Sequence, residues 1–126
     1  MSNQAVSTQA APAAIGPYSQ AVQAGATVYV SGQLPIDPAT GAFPGDDITS
    51  QTRQSLQNVQ AILAQAGMTM ADVVKTTVLL RDIADFSAMN EVYATFFSEP
   101  FPARAAFQVA ALPKGARVEI EAVAVK

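Results

Sequence analysis

The sequence predicts an α+β fold, in which a single mixed β-sheet carries two helices on one face. Short runs of β-branched and apolar residues near the start, in the middle and at the end of the chain predict strands. Between them, two segments repeat apolar residues at helical spacing. With 126 residues, the chain has the length of one domain, so we assign residues 1–126 to a single domain.

The first predicted elements are the two strands of a hairpin. A Gly-Pro pair at residues 16–17 marks a turn, and residues 18–24 and 27–34 have the composition of strands. Part of residues 1–14 is expected to pair with this hairpin as an edge strand. Residues 35–45 contain three prolines and two glycines, which predicts a loop.

Two helices and a central strand complete the middle of the chain. Asp46 and Asp47 are suited to cap a helix that continues to about residue 66, where Gly67 ends it. Asp85 is suited to cap a second helix through about residue 97, and residues 73–80 between the helices predict a central strand. The apolar positions expected to face the sheet are Leu56, Val59, Ile62, Leu63 and Ala66, then Phe86, Met89, Val92, Tyr93 and Phe96.

The last two predicted strands carry charges inside apolar runs. Arg104 opens one run, and Glu119 and Glu121 interrupt the other, residues 118–125. Burying a charged group is costly unless the group is paired or binds something. These charges therefore mark a candidate site.

Strand alternation predicts which face each charge occupies. Successive side chains of a strand point to opposite faces, so Glu119 and Glu121 oppose the even-numbered apolar residues around them. Phe107 likewise opposes Arg104. If the larger apolar groups face the helices, Arg104 and Glu119 share the uncovered face.

Composition indicates that another subunit covers this face. It would also carry apolar residues unsuited to open water, namely Ala106, Ala110, Val123 and Val125. Half of the chain is hydrophobic, and only 13% is charged, against about 25% in an average protein. A small chain with so few charges is expected to hide part of its surface in an oligomer.

Charge and residue usage exclude several classes of function. The net charge is −3, and the seven basic residues are scattered from Arg53 onwards, so no nucleic-acid partner is expected. The lack of basic residues before Arg53 argues against a signal or transit peptide, and no apolar run approaches about 20 residues. We therefore expect a soluble, cytoplasmic protein without a membrane partner.

The chain contains neither cysteine nor histidine. This excludes thiolate nucleophiles and the usual zinc ligands, and it removes the commonest general base. We expect no metal and no cofactor. Catalysis would have to use Arg, Glu, Asp, Tyr, Ser, backbone groups and water.

Arg104 and the two glutamates each admit a structural and a functional interpretation. The guanidinium of Arg104 could hold a small carboxylate through two hydrogen bonds, or form a structural salt bridge, which the pattern alone slightly favours. Glu119 could position or deprotonate a water if burial raised its pKa, or it could serve as the partner of Arg104. Glu121 points the same way, so alternation does not choose between the glutamates.

Three further positions are candidates for a binding pocket. Tyr18 follows a turn and could hydrogen-bond a ligand, or pack at the entry of a strand. Ser31 and Gly32 lie at a strand end, where glycine allows close backbone approach or a bulge. Asn90 lies among apolar residues of the second helix, where its amide needs partners, either in a loop or in a site.

Taken together, these motifs resemble the RidA/YjgF family of reactive imine deaminases. The resemblance extends from about residue 11 to residue 125, with motifs in matching order and spacing. The motifs are Ala14-Ile15-Gly16-Pro17-Tyr18-Ser19-Gln20, Val30-Ser31-Gly32-Gln33-Leu34-Pro35, Asn58-Val59, Asn90-Glu91-Val92-Tyr93, Pro102-Ala103-Arg104 and Glu119-Ile120-Glu121-Ala122-Val123-Ala124.

The resemblance implies a homotrimer of the chorismate-mutase-like fold, with an inner barrel of three sheets and clefts between subunits. It implies that Arg104 grips a carboxylate and that Glu119, not Glu121, positions water. Other pocket positions fall on Tyr18, Ser31, Gly32 and Asn90. The implied reaction is deamination of 2-imino acids to 2-oxo acids and ammonia, and the implied alternative is a non-enzymatic trimer that senses metabolites or acts as a chaperone.

Two departures from the family pattern concern the pocket. Many members carry Ser-Cys after the arginine, where this chain has Ala105-Ala106. The implied mechanism needs only the backbone N–H of Ala106 as a second donor to the carboxylate, so we expect a reshaped pocket. The loop at residues 98–101 is also shorter than in typical bacterial members, which bears on substrate preference.

Overall fold

A computed structural model describes residues 2–126, and in it six strands form one mixed sheet. Their order across the sheet is β1-β2-β3-β6-β4-β5, with β4 and β5 parallel and the other neighbours antiparallel. The strands are β1 (Gln4–Val6), β2 (Ala21–Ala24), β3 (Thr27–Gln33), β4 (Val73–Leu80), β5 (Ala103–Gln108) and β6 (Val118–Val125). The expected α+β fold and the N-terminal edge strand are confirmed.

Two helices, α1 (Ile48–Gln65) and α2 (Phe86–Tyr93), pack on one face of the sheet. Asp47 caps α1, because its carboxylate accepts a hydrogen bond of 2.8 Å from the Ser50 N–H. Gly67 has a φ of +75°, the left-handed conformation that ends many helices. No helix within residues 2–126 has the length and apolar character needed to cross a membrane.

The second helix is shorter than predicted and begins differently. It ends at Tyr93 because the N–H groups of Thr95 and Phe96 bond to carbonyls three residues back, which forms tight turns. Asp85 makes no capping hydrogen bond. Its carboxylate instead lies 3.6 Å from the Arg117 guanidinium, while Asp82 caps a short 3₁₀ turn before α2.

The core lies between the helices and the even-numbered side of β6. Val118, Ile120, Ala122 and Ala124 are buried, whereas Glu119 is partly buried and Glu121 is exposed. The alternation predicted for this strand is confirmed. It is clear here because β6 lies in the middle of the sheet, where helices cover one face.

The predicted first strand of the hairpin starts three residues too early. β2 begins at Ala21, because residues 18–20 leave the sheet to hold the N-terminal segment. The buried Gln20 side chain donates to the carbonyls of Thr8 and Pro12, at 3.0 and 2.7 Å, and accepts 2.7 Å from the Thr8 N–H. These bonds attach the segment after β1, at Thr8 and Pro12, to the residue that precedes β2.

The prediction that Arg104 shares the uncovered face with Glu119 is wrong. Arg104 pairs with Thr76 in the parallel register of β4 and β5, and Thr76 lies under the helices beside Tyr93. Paired residues of neighbouring strands point to the same face, so Arg104 and Ala106 are on the helix side. Phe107 is on the open side and 47% exposed. The inference failed because β5 is an edge strand, where the larger apolar residue is not the more buried one.

Candidate functional site

The Arg104 side chain is held by groups of α2. Its Nη1 donates a hydrogen bond of 2.6 Å to the Asn90 Oδ1. Its guanidinium carbon lies 4.8 Å from the centre of the Tyr93 ring and 5.4 Å from that of Phe86, distances at which a cation attracts an aromatic face. The structure thus brings Asn90, a candidate pocket residue, into direct contact with Arg104.

The two rings under Arg104 were predicted only as core residues. Phe86, Asn90 and Tyr93 are spaced four and three residues apart, which places them on one side of a helix. Two aromatic residues and an amide on one helix face, near the strand that carries Arg104, were a signal from which this contact could have been predicted.

Arg104 forms no salt bridge within residues 2–126. The ion pairs there join Arg117 to Asp46 and Asp85, and Arg104 is exposed to solvent. A structural pair with Glu119 or Glu121 of the same chain is therefore not formed. The unused guanidinium N–H groups are available to an external carboxylate.

The guanidinium opens into a cleft of about 450 Å³ between α2 and the start of β5. The cleft is lined by Asn90, Tyr93, Ala94, Phe101, Pro102 and Arg104. The N–H of Val109 bonds to the Leu80 carbonyl of β4 at 2.9 Å. Because N–H directions alternate along a strand, the N–H of Ala106 points away from β4 towards the free edge.

Glu119 lies against the bulge in β3. The β3–β6 register shifts between Val30 and Gln33, which sets Ser31 and Gly32 out of the regular ladder. The Glu119 carboxylate occupies the space that a side chain at position 32 would need. Glycine there lets the carboxylate approach the backbone.

The environment of Glu119 differs from that of Glu121. Burial raises the pKa of the Glu119 carboxyl, and the nearby charge of Glu121 raises it further. Glu121 is exposed. A carboxylate with a raised pKa is a better proton acceptor, so Glu119 is better suited than Glu121 to accept a proton from water.

Tyr18 lies beside the N-terminal segment, and Ser31 is hydrogen-bonded to the residue that follows Tyr18. The Ser31 hydroxyl donates 2.6 Å to the Ser19 carbonyl, which ties the segment after Tyr18 to the bulge. Tyr18 is 54% exposed and borders a groove of about 900 Å³ with Ile15 and Lys114.

The predicted site residues therefore fall into two groups within one chain. Arg104, Asn90 and the Ala106 N–H form the first, and the Glu119–Gly32 pair with its neighbours forms the second. Leu79 pairs with both Glu119 and Phe107, three residues beyond Arg104. Strand spacings then separate the Cα atoms of Arg104 and Glu119 by about 14 Å, with the side chains on opposite faces.

Comparison with known proteins identifies relatives along nearly the whole chain. The family model for endoribonuclease L-PSP matches residues 8–126. A RutC family protein of Sinorhizobium fredii is 58% identical over 94% of both chains. A 2-iminobutanoate/2-iminopropanoate deaminase of Capra hircus is 58% identical over 96% of this chain and 88% of its own.

A solved structure agrees with the fold. The crystal structure of E. coli TdcF with bound serine has a TM-score of 0.93 and 48% sequence identity, with 98% of each chain covered. The match in sequence and in fold leads to one conclusion: the chain belongs to the endoribonuclease L-PSP family, which is the RidA/YjgF family.

Proposed function

We propose that this protein is an imine deaminase, which hydrolyses reactive 2-imino acids to 2-oxo acids and ammonia. The observation that carries the proposal is Arg104, an exposed guanidinium oriented by Asn90 and two rings but without a carboxylate partner among residues 2–126. The name of the goat relative, a 2-iminobutanoate/2-iminopropanoate deaminase, supports the same activity.

The site is completed by a second subunit. Arg104 and Glu119 of one chain face opposite sides of the sheet, so one small ligand cannot reach both. In a homotrimer, Arg104 would meet Glu119 of the partner subunit in a cleft between subunits. The open sheet face supports assembly, because it carries the partly exposed apolar side chains of Tyr29, Leu79, Phe107, Val123 and Val125. Three such faces would form the inner barrel.

Arg104 binds and orients the substrate. Its planar guanidinium matches the two oxygens of a carboxylate, and charge-assisted bonds of this kind are among the strongest in proteins. The N–H of Ala106 at the free edge of β5 is a second donor to the same carboxylate. This role uses the backbone alone, so the thiol that many relatives have at this position is not required.

Glu119 positions the attacking water. Its carboxylate accepts a hydrogen bond from the water and takes up a proton as the oxygen adds to the imine carbon. The resulting carbinolamine then receives a proton on nitrogen, expels ammonia and leaves the 2-oxo acid. Ser31 and Gly32 shape the wall against which the water lies, and Tyr18 covers the cleft. Orientation and electrostatic help suffice, since free imines already hydrolyse in water.

The first experiment compares Arg104→Ala with Arg53→Ala, a second exposed arginine on α1. The substrate is 2-iminopropanoate, generated during the assay by a dehydratase or oxidase. Losing one partner of a charged contact costs about 2–5 kcal/mol, so kcat/KM of Arg104→Ala should fall roughly 30- to 5000-fold. Its melting temperature should match that of Arg53→Ala.

The same assay separates deamination from a binding role. Full activity of Arg104→Ala would contradict the proposed mechanism. If the wild-type protein is stabilised by 2-oxobutanoate in thermal unfolding but does not accelerate ammonia release, a metabolite-binding trimer replaces the enzyme.

A further inference from the structure

The cleft at Arg104 contains more than a carboxylate anchor. Arg104 supplies its charge and Asn90 its amide, while the other lining residues are Tyr93, Ala94, Phe101 and Pro102. In a single chain the cleft is open to solvent and measures about 450 Å³. Beyond Arg104 and Asn90, its wall is mainly apolar.

The hydroxyl of Tyr93 and the amide oxygen of Asn90 are already engaged. The Tyr93 hydroxyl is 2.7 Å from the Thr76 hydroxyl, deep under the helix, so only its ring faces the guanidinium. The Asn90 Oδ1 accepts from Arg104. A substrate side chain that extends past Arg104 towards the loop therefore meets mainly the apolar parts of Tyr93, Ala94, Phe101 and Pro102.

Phe101 is the large apolar side chain of this wall that is open to solvent in the single chain. It is 54% exposed and lies three residues before Arg104, at the end of the loop that precedes β5. An apolar ligand group placed on it would remove water from both surfaces, which is favourable in proportion to the area covered.

We propose that Phe101 is a specificity-determining residue, which makes the protein prefer 2-imino acids with a branched apolar side chain over 2-iminopropanoate. This inference rests on the proposed deaminase function. The carboxylate is held by Arg104, the imine carbon lies at the cleft mouth and the apolar side chain packs on Phe101.

The test compares two substrates in four proteins. An amino-acid oxidase generates 2-iminopropanoate from alanine and 2-imino-4-methylpentanoate from leucine, and kcat/KM is measured for each. Wild type should favour the larger substrate. Phe101→Ala should lower the preference about tenfold, the scale of a lost apolar pocket contact. Phe101→Leu should retain most of it, and Ile83→Ala, a 50% exposed apolar residue outside the cleft, should leave it unchanged.

Each result decides one question. An equal fall for both substrates in Phe101→Ala, or an unchanged ratio, would overturn the role of Phe101 while leaving deamination intact. If wild type turns over neither substrate, the proposed function fails, and calorimetry with 4-methyl-2-oxopentanoate and 2-oxobutanoate decides the role of Phe101. A lower affinity ratio in Phe101→Ala supports the apolar subsite, and an unchanged ratio overturns it.

Discussion

At the scale of single residues, the two glutamates of β6 differ in burial and in the role we propose for them. Glu119 is partly buried over Gly32, whereas Glu121 is exposed, and burial followed by the charge of Glu121 raises the pKa of Glu119. In the proposed mechanism the ionised form of Glu119 acts on water. Activity should therefore decline as the pH falls through this raised pKa, at a higher pH than for an ordinary glutamate.

Glu121→Gln should move that decline to lower pH. Removing the neighbouring negative charge makes ionisation of Glu119 easier, so its pKa falls. The measurement is kcat/KM for 2-iminopropanoate from about pH 4 to about pH 8, a range that covers the ordinary and the raised pKa of a glutamate. Glu91→Gln, which removes an exposed carboxylate on α2, is the control and should leave the profile unchanged. If Glu121→Gln leaves the pH profile unchanged, the decline in activity at low pH is not caused by protonation of Glu119.

At the scale of elements, the bulge in β3 is the feature that admits the Glu119 carboxylate. Gly32→Ala should keep the fold, because the φ of Gly32 is outside the left-handed region and the obstructing atoms are the end of a flexible side chain. The added methyl would displace the carboxylate. A misplacement of about 1 Å can cost on the order of 100-fold in rate, and we expect a loss of this size.

Turnover and ligand binding distinguish this effect from general damage. Arg104 is untouched in Gly32→Ala, so the affinity for 2-oxobutanoate and the melting temperature should change much less than kcat. Wild-type turnover in this variant would show that the position of Glu119 is not critical.

The strands also differ in how well the sequence predicts which face each side chain occupies. Alternation assigned the faces of β6 correctly, because helices bury one side of this central strand completely. It misassigned β5, where α2 covers only part of an edge strand and Ala106 packs inward while Phe107 remains exposed. The separation of Arg104 from Glu119 depends on the parallel β4–β5 register, which the pattern of apolar residues does not encode.

The individual candidate residues stand out in the sequence more clearly than their grouping does. Arg104 and Glu119 were visible as charges in apolar runs, and Asn90 as an amide on an apolar helix face. Phe101 belongs to an irregular loop, where periodicity carries no information about which side chain borders a cleft.

At the scale of the whole molecule, the proposed site needs subunits in contact. Mixing subunits tests this directly. Arg104→Ala and Glu119→Gln should each be inactive alone, but trimers assembled from both should regain activity. Where a cleft takes Arg104 from one chain and Glu119 from its neighbour, random equal mixing leaves about a quarter of the clefts intact.

The measurement is ammonia release after the two variants are unfolded and refolded together. The control is the same mixture combined without unfolding, in which subunits have not been exchanged. Activity that does not return in trimers shown by light scattering to have formed would place both residues of a working site in one chain, contrary to the proposal.

The contacts that hold the Arg104 side chain against α2 have a thermodynamic consequence. A free arginine side chain carries about 2 kcal/mol of rotamer entropy, which a ligand normally has to remove when it orders the side chain. Here the rings of Phe86 and Tyr93 and the amide of Asn90 have ordered it in advance. In the proposed role of Arg104 the anchor is therefore pre-organised, and more of the interaction energy of a bound carboxylate would be available for affinity, even for an acid of only three or four carbons.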